Sequence, residues 1–116
     1  MLPNKMKISE SATHCLRRLQ SNTGLTVNIG ARLAFFVSIE QGFTFDVQQR
    51  AMEFGGRELD KFTWLGEHSL VVEFLLGEKY PGLNRRDTHH AWACHVADGA
   101  TKLDQRNSIM GLIDNL

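Results

Sequence analysis

Lys5-Met6-Lys7-Ile8, with the two short helical patterns that follow it from Ser9 to Gly42, decides how this chain is read. Cation and apolar residue alternate in the first four, the period of a strand with one wet face and one buried face. Ser9 is placed to cap a helix that carries Ala12, Cys15, Leu16 and Leu19 on one stripe. Thr23-Gly24 breaks that helix, and Thr26 caps a second one running to Gln41, with Gly42 as its stop. A basic strand ahead of two short helices is the layout of ribbon–helix–helix DNA readers. The expected fold is therefore mainly α: a short N-terminal β-strand followed by helices. Residues 1–42 form a ribbon–helix–helix-like unit and 43–116 a helical remainder, in a single domain of 1–116.

Charge is lopsided in the same sense. Residues 1–32 hold five Lys/Arg (Lys5, Lys7, Arg17, Arg18, Arg32) against one acid, Glu10. The rest of the chain holds eight against twelve, so +4 in front and −4 behind give a net charge of zero. A neutral chain has no uniformly basic coat, so nucleic-acid binding must come from a patch, or from several copies of it in an oligomer. At 116 residues there is room for one domain with an adequate core. Apolar content of 42% and charged content of 22% are those of a globular soluble protein. No apolar run approaches the roughly 20 residues that span a bilayer, and the N-terminus has no signal-peptide core. With Cys15 and Cys94 as its two cysteines, the chain is expected to be cytoplasmic with reduced thiols.

Beyond residue 42 the patterns stay helical. Asp46 caps a short helix to Phe54 with Val47, Ala51 and Phe54 in register, ended by Gly55-Gly56. Residues 57–66 have mixed signals and are expected to be loop with a possible turn of helix. The run from Glu67 to Leu76 is too apolar for a surface helix; its flanks and Gly77 favour helix over a buried strand. Tyr80-Pro81-Gly82 is a turn. Asn84 caps the longest helix, to about Gln105, with Trp92, Val96, Gly99 and Leu103 on one stripe, and a separate segment from Ile109 to Leu116 packs back.

The second helix speaks to assembly. Ile29, Leu33, Phe36 and Val37 make one apolar face, and Phe35 and Ile39 carry it nearly all the way round, so the helix must be buried on most sides. A lone four-residue strand is not stable unpaired either. Both point to a partner copy: two chains pairing their strands would bury Met6 and Ile8 and present Lys5 and Lys7 to DNA.

Lys5, Lys7, Arg17, Arg18, Thr26, Asn28 and Arg32 are the candidate DNA-binding residues. The tight turn at Gly24 ahead of a helix offers N–H groups to a phosphate, Thr26 and Asn28 add polar groups, and Arg32 lies one turn on. Other chemistry has weaker signals. Asp87, His90 and Cys94 share a helical face, with His89 and His95 beside them, but structural zinc wants a second ligand pair at a distance, and Cys15, His14 and His68 are the only further donors. Glu53, Glu58, Asp60 and Glu67 lie close enough in sequence to hold Mg²⁺ in a nuclease, a spacing shared by any solvated acidic edge. No phosphate loop, dinucleotide fingerprint or serine elbow is present. Neither a cofactor nor a metal is expected, and two readings remain beside DNA binding: a metal-dependent DNA nickase, and a protein–protein scaffold docking through its acidic half.

These residues resemble a known family. Leu2-Pro3-Asn4 with the basic strand, Thr23-Gly24-Leu25-Thr26-x-Asn28 and Arg32, Gly56-x-Glu58-Leu59, Thr63-x-Leu65-Gly66-Glu67, and His95 with Gly99 are similar in order and spacing to DndE, the DNA sulfur modification protein family. Val27 departs from it, since the family usually has proline there, a residue suited to the first helical position. The resemblance implies a small helical subunit of the bacterial DNA phosphorothioation machinery, which replaces a non-bridging phosphate oxygen by sulfur. It implies an oligomeric, tetrameric component that binds duplex and prefers nicked DNA, partnered by the other subunits of that complex and without sulfur chemistry of its own.

Overall fold

Met6 and Ile8 are fully buried while Lys5 and Lys7 stand in solvent, as the alternation requires. The computed structural model describes residues 5–45, 55–60 and 69–114. Strand β1 (Lys5–Lys7) pairs antiparallel with β2 (Glu58–Asp60), in the register Lys5–Asp60, Met6–Leu59, Lys7–Glu58. The pairing expected from a second chain is thus supplied within this one, and the loop expected over 57–66 contains a strand. Leu59 between two acids repeats the β1 alternation with a single apolar residue, too little for periodicity to register. Its side chain is 1% exposed and closes over Met6.

Helix α1 (Glu10–Thr23) starts and stops where the sequence places it. Ser9 Oγ accepts from Ala12 N, and Gly24 takes φ +80° so that its N–H reaches the Gln20 carbonyl. Helix α2 (Val27–Glu40) is capped by Thr26, whose Oγ1 accepts from Ile29 N, and Gly42 turns the chain away at φ +79°. The expected helix over 46–54 lies outside the described residues.

Helix α3 (Ser69–Lys79) sends Val72 and Leu76 inward and leaves Leu70, Val71 and Phe74 exposed. It is therefore half a surface helix in a single chain, despite its apolar composition. Helix α4 (Arg85–Asp114) begins after Asn84, whose Oδ1 accepts from Asp87 N. It runs 30 residues without a break, and the separate C-terminal segment expected from Ile109 is its continuation. Between Gln105 and Ile109 there is no Gly or Pro, so nothing in the chain stops the helix.

The core forms where α2 crosses α4, with α1 laid alongside. Trp92, Val96, Phe35 and Ala31 are fully buried there, joined by Leu16 from α1 and Met6, Ile8 and Leu59 from the small sheet. At the crossing Gly99 packs directly on the backbone of Ala34: a Cβ at 99 would overlap the Ala34 carbonyl. Phe35 faces the core, whereas Ile29 and Leu33 are 40% and 41% exposed. The apolar girth of α2 thus divides into a face covered by this chain and a face that is not.

Candidate nucleic-acid interface

The seven candidate binding residues are spread over β1, α1 and the start of α2 and do not form one cluster. Lys5 and Lys7 occupy the exposed face of β1 at the start of α1, directly opposite Asp60 and Glu58 on β2. Lys7 and Glu58 are a cross-strand pair of opposite charge, so that acid offsets part of the lysine charge. Thr26, Asn28 and Arg32 sit at the other end of α1, about 21 Å away along its 14 residues. Thr26 Oγ1 is already engaged as the cap of α2.

Between these ends Arg17 and Arg18 diverge. Arg17 is exposed. Arg18 turns to α4, where its Nε and Nη2 donate to the two carboxylate oxygens of Asp104 at 2.9–3.3 Å. This exposed ion pair joins α1 to α4. Arg57, which a reading of 57–66 as loop leaves aside, lines the same cleft as Arg17. Its signal was hidden in the acid-rich half of the charge count.

The polar centre of the molecule is elsewhere, and sequence reasoning did not find it. Ser38, on α2, and His95, on α4, are both fully buried. Ser38 Oγ lies 2.8 Å from His95 Nδ1 and 2.8 Å from Asp98 Oδ2, Tyr80 Oη lies 2.7 Å from His95 Nε2, and Phe45 N donates to Tyr80 Oη at 2.7 Å. The direction of every bond follows from proton counting. Asp98, which also accepts from Lys102 Nζ at 2.9 Å, can only accept, so the single Ser38 proton goes to it. Ser38 Oγ then accepts from His95 Nδ1–H. Burial pushes the His95 pKa down to about 4, with Lys79 acting in the same sense, so the ring is neutral and Nε2 accepts from Tyr80 Oη–H. The residues are those of a hydrolase triad in the wrong order: serine sits between histidine and carboxylate, and its hydroxyl points at the acid rather than at a free base. The arrangement ties α2, α4 and the Tyr80 turn together.

The histidine–cysteine stretch of α4 is dispersed by the same packing. His95 has both ring nitrogens in hydrogen bonds, leaving no lone pair for a metal. Burial pushes the Cys94 thiol up to about 11, away from the thiolate that metals and electrophiles require. His89 is half-buried and hydrogen-bonded to the Lys7 backbone, linking α4 to β1. No group of three or more metal-ligating side chains occurs among the described residues. Of the four acids, Glu58 is exposed opposite Lys7, Asp60 is the register partner of Lys5, and Glu53 and Glu67 lie outside the described residues.

Residues 5–110 match the family model described as DNA sulphur modification protein DndE. Among solved structures, one of DndE from Escherichia coli B7A, involved in DNA phosphorothioation modification, is 42% identical with a TM-score of 0.83, over 86% of this chain and 97% of that one. A DndE mutant with glycines changed to lysine, involved in DNA phosphorothioation, is 40% identical with a TM-score of 0.82, over 89% of this chain and 99% of that one. No curated protein matches the chain.

Proposed function

The chain belongs to the DndE family of DNA sulphur modification proteins, and on that premise we propose that it is a non-catalytic subunit of a cytoplasmic DNA phosphorothioation machinery that holds duplex DNA by its backbone. The observation that carries this is the exposure of Lys5, Lys7 and Arg17, on a strand and a helix whose buried faces hold Met6, Ile8, Leu16 and Leu19. Charges fixed on regular elements meet phosphates with little loss of freedom on binding. Thr26, Asn28 and Arg32 would engage the backbone further along. A binding role rather than a reactive one suits a chain in which the serine–histidine–aspartate cluster among the described residues is wired as a structural clasp.

Phosphate contacts release counterions, so affinity should fall steeply with salt. The triple substitution Lys5→Ala, Lys7→Ala and Arg17→Ala should weaken binding to every duplex sequence alike and flatten the salt dependence, measured by electrophoretic shift on intact, nicked and single-stranded DNA at two salt concentrations. Arg18 is left intact, because removing it breaks the link to Asp104. Nicked duplex should bind better than intact duplex, since a nick lowers the energy of bending. A folded triple variant that shifts DNA as the parent does would place the interface elsewhere.

The same reading gives the protein a homo-oligomeric form, a tetramer built as a dimer of dimers, docked to other subunits of the machinery. Among the described residues, Ile29 and Leu33 on α2 and Leu70, Val71 and Phe74 on α3 are exposed apolar surface that a second copy would cover, Leu70 being 73% exposed. Leu33→Asp should dissociate the oligomer while the chain stays folded, because Leu33 is half in solvent within one subunit. Light scattering that finds the parent a folded monomer at micromolar concentration would refute the oligomer.

A further inference from the structure

We propose that the cleft between α1 and the Gly55–Arg57 loop is a phosphate seat, in which Arg17 and Arg57 close from two sides on one phosphodiester of a nucleic-acid strand; this rests on the DNA-binding reading above. Glu10, His14 and Arg17 fall on one ridge of α1, at i, i+4 and i+7. That ridge and Thr13 form one wall of a cleft of about 430 Å³, and Gly55, Gly56 and Arg57 form the other. The volume is in the range of small-ligand sites and leaves room for the sugars on either side of a phosphate.

The loop is built into place. Gly56 N donates to the Ile8 carbonyl at 3.0 Å, Ile8 N to the Arg57 carbonyl at 3.2 Å, and Arg57 N to Thr13 Oγ1 at 3.0 Å. Thr13 Oγ1 in turn donates to the Ser9 carbonyl at 3.0 Å. A Cβ at Gly56 would overlap that carbonyl and the threonine oxygen, so only glycine lets the loop lie this close. The Arg57 backbone is therefore held against α1 before any ligand arrives.

The charges across the cleft are unbalanced. Among the described residues neither Arg17 nor Arg57 forms an ion pair, in contrast to Arg18, whose partner Asp104 lies at 2.9 Å. The acid at the cleft, Glu10, lies 3.9 Å from His14. Two arginines and one acid line the cleft, which leaves it an excess of positive charge that an anion would neutralise. A phosphodiester offers two non-bridging oxygens, one for each arginine, and arginine's planar fork matches phosphate geometry.

The test is Arg57→Ala in the full chain, with folding checked by circular dichroism. Loss of one phosphate contact at about 0.15 M salt should weaken duplex binding about fivefold per subunit engaged and lower the logarithmic salt slope by about 1. Arg57→Lys should recover only part of the loss, since lysine has no fork. Arg57→Ala with the parent's affinity and slope would overturn the seat, while an effect of Lys5→Ala with Lys7→Ala in the same assay would leave the wider reading standing. If the parent binds no DNA, that reading falls, and amide NMR with inorganic phosphate decides the seat alone. Saturable shifts at Thr13, Arg17, Gly56 and Arg57 that vanish in Arg57→Ala support it, and their absence from the parent overturns it.

Discussion

Gly99→Ala should destabilise the protein by about 3 kcal/mol or more, beyond the usual range for overpacking, because the added carbon meets backbone rather than a side chain that can rotate away. The Ala34 carbonyl at the α2–α4 crossing cannot yield without separating the two helices that bury Trp92, Phe35 and Val96. A loss of that size lowers Tm by roughly 10 °C or more in a chain of this length. Thermal unfolding followed by circular dichroism reads it directly, and Gly77→Ala, where a Cβ meets open space, is the control expected to leave Tm unchanged or raise it. A Gly99→Ala protein as stable as the parent would mean that the helices do not cross at this contact.

His95→Ala should be of similar severity, about 3–5 kcal/mol, since it opens a cavity and strips partners from Ser38 and Tyr80 at once. The same residue sets a pH dependence with a definite sign. Its pKa falls from 6.5 in the unfolded chain to about 4 in the folded one, so between those values the unfolded state binds more protons. Its contribution to stability is complete above about pH 6.5 and is lost as pH falls toward 4, amounting to about 3 kcal/mol across that window. In the glutamine variant, which keeps a hydrogen-bonding side chain without the titration, stability should change less between pH 7 and 4.5 than in the parent. Urea unfolding at the two pH values measures the difference, and a parent with no greater pH response than His95→Gln would show that His95 is not the neutral, doubly bonded ring described above. A long-range proton–nitrogen spectrum should find the proton on Nδ1.

The elements governed by neighbours in sequence were legible beforehand. Ser9, Gly24, Thr26, Gly42 and Asn84 bound helices because a cap acts within four residues of itself. The alternation in β1 fixed which side chains are buried, since successive residues of a strand point to opposite faces. Family membership was legible for a related reason: the spacing of Thr23-Gly24-Leu25-Thr26 and of Gly56 with Glu58 preserves local geometry that the fold uses.

What the sequence could not show lies in pairs far apart along the chain. The partner of β1 comes from Glu58–Asp60, and Arg18 meets Asp104 across 86 positions, an ion pair between helices that no local pattern announces. Tyr80, His95, Ser38 and Asp98 each read as an ordinary polar residue until α2 and α4 cross. By itself the sequence determined the first two helices, the caps and the buried face of the first strand, because these depend on local steric and hydrogen-bonding rules. Only the tertiary structure decided which cations remain free and which histidine is held neutral. Those outcomes depend on burial and on partners that chain closure alone brings within a few ångströms.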